Sequence, residues 1–235
     1  MLFARPTRYF ARAFVDGARL APTATNFRLV SEALDDDRML PVHATEVRPA
    51  GGLSRMAFMD TTGFQVVVSA ESIYAHFIPA SGTQEAFVTR ATTVLERLLP
   101  LLPHRATRIA FILEGEVSTP APDDVVRTLF RLPPLFDHQG PFEWDWRCAT
   151  KSSRRFGEQV EETNTVATFR RFAGKLSSGD PFDGIIAELD INTVPENVMP
   201  RFQAADCRAF FEAGIAWHDE LARELATFIG QEVPS

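Results

Sequence analysis

The stretch SGTQEAFVTRATTVLERLLPLL, residues 81–102, decides the fold because its apolar residues recur at a helical period between segments that alternate. The spacing of three and four is carried by Phe87, Ala91, Val94, Leu95, Leu98 and Leu102. Such a stripe predicts an amphipathic helix over 83–99. Pro100 and Pro103 end the helix because proline lacks the amide hydrogen that a helix interior needs.

A second helix is predicted near the carboxy terminus, in DCRAFFEAGIAWHDELARELATFIG, residues 206–230. Its apolar stripe consists of Phe210, Phe211, Gly214, Trp217, His218, Leu221, Leu225 and Phe228. Gly230 is a typical residue for ending a helix. Each of the two helices needs an apolar surface to bury its stripe, so we expect both to lie on a sheet.

Between the helices the period falls to about two, which is typical of strands. We predict strands at 107–117, 141–150, 156–172 and 182–192, with a short helix at 122–132 after the first of them. The first hundred residues give a strand near 5–16, a helix near 25–34, and strands near 41–49, 53–60 and 64–78.

The predicted fold class is therefore α+β: two β-α-β-β-β-α halves with antiparallel sheets, each covered by a long helix. The halves are 1–103 and 104–235, packed as one compact unit. They repeat a pattern rather than residue identities, which suggests an internal duplication. The two sheets are also compatible with one continuous sheet over a shared core.

Composition restricts the class of protein. The chain has 235 residues and a net charge of −7, which argues against a protein that mainly coats nucleic acid. No apolar run approaches the roughly 20 residues of a membrane span. Cys148 and Cys207 have no metal or disulfide spacing, so we expect buried, reduced thiols and a cytoplasmic location.

Common catalytic motifs are missing from the sequence. It contains no GxGxxG, GxxxxGK[ST], HExxH or GxSxG pattern and no paired cysteine and histidine spacing. Nucleotide, zinc and serine-hydrolase chemistry therefore lose support. We expect no cofactor and no metal, and we favour a protein that is not an enzyme.

Four segments resemble a sporadically distributed bacterial family of uncharacterised proteins. They are GFQVVVSAESIYAHF (63–77), RIAFILEGEV (108–117), GIIAELDINT (184–193) and GIAWHDELARELATFIG (214–230). The resemblance covers most of the chain, is mainly structural, and implies a bacterial protein of this architecture without an established activity.

The aromatic residues predict either a core or a ligand cavity under the second long helix. Phe142, Trp144, Trp146 and Cys148 alternate with polar residues and should face the protein interior. We expect the tryptophans to join Phe210, Phe211 and Trp217 in a common aromatic core. Trp144, Trp146, Trp217 and His218 are the candidates for lining a cavity if one exists.

Residues 147–175 are basic in an otherwise acidic chain. This segment contains seven lysines and arginines and three glutamates, which give it a charge of +4. The remainder of the chain therefore carries −11. The candidates for phosphate contact are Lys151, Arg154, Arg155, Arg170 and Arg171. A hairpin turn at 161–165 would gather them into one patch, whereas an uninterrupted strand over 156–172 separates them. We favour the long strand, with the KSSRR segment as a polar loop before it.

Two polar groups offer an alternative, catalytic interpretation. His218 next to Asp219 and Glu220 has the chemistry of an acid–base group, although a helix-edge histidine beside solvated acids is the more economical interpretation. Glu188, Asp190 and Asn192 alternate on one side of a predicted strand. That row suits a cation or a polar ligand, or simply the hydrated face of a sheet.

Three functions follow from these patterns. The first is a non-enzymatic binding or interaction protein that acts through a protein partner or a small apolar ligand. The second is a nucleic-acid-associated accessory protein that uses residues 147–175. The third is an enzyme with a site near His218 or Asp190. Unpaired edges of an open sheet also favour a homodimer.

Overall fold

The computed structural model describes residues 2–35, 38–46, 53–77, 82–118, 121–133, 141–175 and 181–230. Its first five strands are β1 (Phe3–Phe14), β2 (Leu40–Glu46), β3 (Leu53–Met59), β4 (Phe64–Val68) and β5 (Ser72–Phe77). The remaining strands are β6 (Arg108–Val117), β7 (Trp144–Phe156), β8 (Gln159–Lys175) and β9 (Pro181–Thr193). The α-helices are α1 (Ala24–Ala33), α2 (Gln84–Leu98), α3 (Pro122–Leu129) and α4 (Ala204–Phe228).

All nine strands belong to one sheet with the order β2-β3-β4-β5-β1-β6-β9-β8-β7. Every neighbouring pair is antiparallel. The α+β class is therefore confirmed, and the two predicted sheets form the single continuous sheet that the sequence also allowed. The central pair is β1 and β6, with Phe10 opposite Ile112, so each half contributes its first strand to the middle of the sheet.

The first half has one strand more than predicted. The segment 64–78 is divided into β4 and β5 by a tight turn in which the Ser69 amide donates to the carbonyl of Ser72 at 2.9 Å. The Ser69 hydroxyl also accepts from the Ser72 amide at 3.1 Å. Serine favours such local side-chain bonds to the backbone, which is why a continuous apolar alternation contains a turn.

The four helices pack on one side of the sheet, here called the helix face. The two long helices contact each other; α2 lies on β1 and β5 of the first half, whereas α4 lies on β6, β7 and β9 of the second half and also contacts β1. The helix face is lined by fully buried aromatic and aliphatic side chains, among them Phe58, Phe111, Phe169, Leu189 and Ile191. No helix of the described residues covers the opposite side, here called the open face, which carries the side chains of Arg8, Phe10, Arg108, Glu188 and Arg170.

Both long helices begin with side-chain caps. The Thr83 hydroxyl accepts from the amide of Ala86 at the start of α2. At the start of α4 the Asp206 carboxylate accepts from the amide of Gln203 at 2.9 Å, and the Gln203 side chain completes a capping box. These bonds satisfy amides that a helix start leaves without partners and fix where α4 enters the layer.

The segment between 141 and 175 differs from its prediction. Strand β7 continues through the KSSRR residues to Phe156, so the predicted polar loop is wrong. The hairpin turn is Gly157–Glu158, between the paired residues Phe156 and Gln159, and Gly157 has a φ of 54° that favours glycine. After it, β8 runs without interruption from Gln159 to Lys175, so the predicted long strand is confirmed and a turn at 161–165 is excluded.

None of the helices in the described part of the chain combines the length and the apolar character that a membrane span needs. Helix α4 is 25 residues long, but acidic and basic side chains interrupt it along its whole length.

Candidate partner-binding groove between β7 and α4

Strand β7 forms one edge of the sheet. It spans 13 residues, and within the described residues β8 is the strand that pairs with it. In an antiparallel hairpin with a two-residue turn, the pair that flanks the turn is hydrogen-bonded and the pairing then alternates. The amides of Phe156, Arg154 and Ser152 therefore point to β8, whereas those of Arg155, Ser153 and Ala149 point outward.

Helix α4 leaves the middle of β7 uncovered. Cys148 and Thr150 are exposed although their side chains are on the helix face, and Trp146 is only half-buried. The prediction of two buried thiols is therefore right for Cys207 and wrong for Cys148. Cys148 is exposed because α4 lies over the middle of the sheet and reaches β7 only near the carboxy-terminal end of that strand.

A groove of about 350 Å³ runs between β7 and the second half of α4. One wall and the floor come from Thr150, Ser152, Ser153, Arg154 and Thr165, and the α4 wall comes from Trp217, Glu220, Leu221 and Glu224. The lining is mixed: one guanidinium, several hydroxyls, two carboxylates and the apolar surface of Trp217 and Leu221. Such a lining suits a ligand that is both polar and charged rather than a purely apolar molecule.

Arg154 is the basic group of this groove. Its guanidinium carbon lies 4.9 Å from the centre of the Trp217 ring, a distance at which the ring holds a cation. The Nη2 atom is 3.4 Å from the hydroxyl of Thr165. The Nε atom is buried and has no hydrogen-bond partner, so this donor reaches a molecule in the groove only if the side chain rotates.

Two more buried polar atoms on the same side of β7 have no partner: the hydroxyl of Ser152 and the indole nitrogen of Trp144. Buried polar atoms are nearly always hydrogen-bonded in folded proteins. With Arg154 Nε, three buried polar atoms without a hydrogen-bond partner therefore lie along this one face of β7.

The predicted aromatic core is only partly correct. Phe210 and Phe211 are fully buried, and Trp217 contacts Phe210 with ring centres 5.6 Å apart. Trp144 and Trp146 lie elsewhere along β7. Trp144 packs against Phe130 and Trp146 against Phe169.

Phe142, which was predicted to face the interior, is 75% exposed. It lies just before the edge strand begins, where no helix covers it. Of the four residues proposed to line a cavity, Trp217 lines the groove, whereas Trp144 and Trp146 lie further along the same face of β7.

The five candidates for phosphate contact do not form one patch. Lys151 and Arg155 are exposed and alternate onto the open face, while Arg154 lies in the groove. Arg170 and Arg171 are near the other end of the hairpin, opposite Asp145 and Trp144.

Arg170 and Arg171 are also occupied by carboxylates. Arg170 lies 3.4 Å from Glu114 and 3.7 Å from Glu188 on the open face. Arg171 binds Asp183 at 2.7 Å and Asp123 at 2.5 Å on the helix face. The hydrogen bond to Asp183, foremost, raises the pKa of Arg171.

We predicted that His218 lies at the edge of its helix. It is instead fully buried beneath α4. Gln84 Nε2 donates to Nδ1 of His218 over 2.8 Å, and the imidazole packs against the Phe111 ring at 4.7 Å. Burial lowers the pKa of His218 to about 3. It lies outside the groove and is held in the core as a neutral group.

Glu188, Asp190 and Asn192 share the open face, as their alternation predicted. Asn192 donates to Asp190 over 3.0 Å and accepts from Arg108 at 2.8 Å. Burial raises the pKa of Asp190. No group of three histidine, cysteine, aspartate or glutamate side chains in the described ranges is arranged to hold a metal ion.

The sequence did not single out Thr150, Ser152 or Glu224, which line the groove with Arg154, and it named Glu220 only as a neighbour of His218. A signal was present, because Thr150, Ser152 and Arg154 follow Trp146 and Cys148 at a spacing of two. Treating KSSRR as a loop concealed that alternation. Comparisons of the chain with protein-family models, with curated proteins and with solved structures found no match.

Proposed function

We propose that this protein is a non-enzymatic binding protein that takes an extended segment of a partner protein along β7, with side chains of that segment in the groove beside α4. One observation carries the proposal. Strand β7 presents 13 residues of backbone whose outer side has no strand neighbour in the described part of the chain, next to an uncovered groove.

An extended peptide fits this surface because its backbone can supply the missing strand. Outward amides and carbonyls of an edge strand are unpaired hydrogen-bonding groups, and added strands bind through them in many recognition domains. Alternate side chains of the added strand then point to the two faces of the sheet. One set would lie over the β7–α4 groove and the other over the open face.

Charge favours an acidic partner. Strand β7 carries Arg147, Lys151 and Arg155 on the open face and Arg154 in the groove, with Asp145 as its single acidic residue. The groove wall formed by α4 adds two carboxylates, so the positive charge is concentrated on the open face. Lys151 binds Glu196 at the surface, and no ion pair of Arg147 or Arg155 occurs among the described residues. A second copy of β7 would bring its own four basic groups against these, so a segment rich in glutamate or aspartate is the better complement.

The alternative functions receive less support from the geometry. A nucleic-acid surface would use the basic residues together, but they lie on two faces and at two ends of the hairpin. A catalytic site combining His218 and Asp190 is not available either, since one is beneath α4 and the other on the open face. A small apolar ligand matches the mainly polar groove lining poorly.

The test uses synthetic peptides with amidated carboxy termini. A peptide of alternating valine and glutamate is compared with one of alternating valine and lysine, and binding is followed by fluorescence anisotropy. We expect the glutamate peptide to bind and the lysine peptide not to bind. A glutamate peptide carrying N-methyl groups on the edge that faces β7 should fail, because it cannot form the ladder.

The protein variant for this test is Ala149→Pro. Its amide points outward, and proline is tolerated in an edge strand when the missing N–H faces away from the sheet. The variant should fold and lose the peptide, while Ala149→Val keeps the amide and should retain binding. Equal binding by Ala149→Pro, or no binding of the glutamate peptide to the native protein, would overturn the proposal. A dimer of the native protein that Ala149→Pro dissociates would replace the acidic partner by a second copy.

A further inference from the structure

We infer that the part of the groove around Arg154 selects a single carboxylate side chain of the partner segment. This inference rests on the proposed function, because the carboxylate is presented by a strand that pairs with β7. Strand pairing alone does not determine which side chain of the partner is recognised or which atoms of this protein bind it.

Arg154 is held in position without being neutralised. The Trp217 ring lies 4.9 Å below its guanidinium, and no carboxylate of the described residues lies within ion-pair distance of it. Its cross-strand neighbour is Glu161, but that carboxylate is occupied by Arg201, with contacts of 2.9 and 3.2 Å. Arg154 is therefore a positioned cation without an ion pair among the described residues, and it faces the groove opposite Glu220 and Glu224.

A carboxylate in the groove would meet the guanidinium of Arg154, and small rotations of the Arg154 and Ser152 side chains would bring two further donors to its oxygens. The Nε atom of Arg154 and the hydroxyl of Ser152 are both buried and both lack partners. They belong to residues two apart on one face of a strand, so they point in the same direction. A carboxylate accepts several hydrogen bonds at once, and bonds between charged groups are stronger than neutral ones.

The opposite wall distinguishes a carboxylate from a phosphate. Glu220 and Glu224 of α4 line the same groove and place negative charge across from Arg154. A singly charged carboxylate is opposed less by these groups than a phosphoryl group with nearly two charges. Both glutamates oppose any anion, so we expect the groove to accept glutamate or aspartate beside Arg154 more readily than a phosphorylated residue.

The experiment scans the valine–glutamate peptide, replacing one glutamate at a time by glutamine and, at the most sensitive position, by phosphoserine. All peptides keep amidated carboxy termini, so a terminal carboxylate cannot substitute. With the native protein we expect one position at which glutamine weakens binding tenfold or more, and phosphoserine to bind no better than glutamine. Arg154→Gln and Ser152→Ala should reduce or abolish that discrimination.

Arg155→Gln is the matched control, because Arg155 is the adjacent residue on the opposite face of β7. It removes the same charge from the strand, so it should weaken all peptides alike and keep the preference for glutamate over glutamine. A flat scan with the native protein, or equal loss of discrimination in Arg155→Gln and Arg154→Gln, would overturn the inference. In that case the glutamate peptide would still bind and still require the outward amide of Ala149. Absence of peptide binding altogether would refute the proposed function as well.

Discussion

The side-chain amide of Gln84 lies 2.8 Å from Nδ1 of His218, and this contact joins α2 to α4 inside the core. The two residues are 134 positions apart in the chain. Burial, with a smaller contribution from the charge of Arg154, lowers the pKa of His218 to about 3. The pair therefore links the two long helices only while the imidazole is neutral.

The first prediction concerns the pH dependence of stability. His218 takes up a proton near pH 6.5 in the unfolded chain but only near pH 3 in the folded protein. Its contribution is therefore complete above pH 6.5 and is lost as the pH falls below that value. Between pH 7.5 and pH 5, the free energy of unfolding should fall about 2 kcal/mol more in the native protein than in His218→Gln.

Chemical denaturation at the two pH values measures that difference. The matched control is His104→Gln on the surface, which should follow the native protein. His76, whose pKa is also lowered by burial, is present in all three proteins and cancels in the comparison. Parallel pH profiles for the native protein and His218→Gln would contradict the prediction.

A second prediction concerns the contact between α4 and β6. A Cβ atom added at Gly214 would lie 2.7 Å from a ring carbon of Phe111, and Phe111 is itself fully buried. Gly214→Ala should therefore destabilise the protein by about 1 to 3 kcal/mol through overpacking, even though alanine is the better helix former by about 1 kcal/mol. Ala216→Gly, at an exposed position of α4, should show only the helix-propensity cost. A Gly214→Ala variant that is more stable than the native protein in thermal unfolding would contradict this prediction, because it would mean that α4 and β6 move apart at little cost.

The aromatic residues of β7 and β8 allow a third prediction. Trp146 is half-buried and packs on Phe169 with ring centres 5.6 Å apart, while Phe169 is fully buried. Phe169→Ala should cost about 3 to 5 kcal/mol, and Trp146→Ala should cost clearly less because α4 does not cover it. Equal losses in urea unfolding would mean that Trp146 belongs to the core after all.

A fourth prediction concerns the ion pair of Arg201 and Glu161, whose side chains are 16% and 13% exposed. Glu161→Gln leaves a largely buried guanidinium without its carboxylate and should cost about 3 kcal/mol. The comparison is Lys151→Gln, which removes the exposed pair with Glu196 and should leave the unfolding midpoint unchanged. Similar shifts in both variants would contradict the role assigned to burial.

Much of the architecture was predictable because it depends on local periodicity. The stripes of α2 and α4 predicted both long helices to within a residue or two, and the alternation at 107–117 and 182–192 predicted β6 and β9. The merging of the strands into one sheet was left open, because it depends on β1 pairing with β6. That contact is long-range and has no local signal.

The candidate site was harder to predict because an edge strand can have the same alternation of apolar and polar residues as a strand covered by a helix. Trp144, Trp146 and Cys148 alternate as core residues do, and only the position of α4 leaves Cys148 exposed. His218 was predicted at the surface because acidic residues flank it, but it is buried. Its partner is Gln84 of α2, which is distant in the sequence. Local sequence gives the direction of a side chain on its element but not what covers it.

The central claim, that β7 is an open edge for an acidic strand, is tested most directly by hydrogen exchange of its backbone amides. The measurement compares the protein alone with the protein saturated by the valine–glutamate peptide. We expect the outward amides, including those of Ala149 and Ser153, to exchange fast in the protein alone and to become protected when the peptide is bound. The amides paired with β8 should be protected in both states. Protection of the outward amides before any peptide is added, or no change when it is added, would contradict the claim.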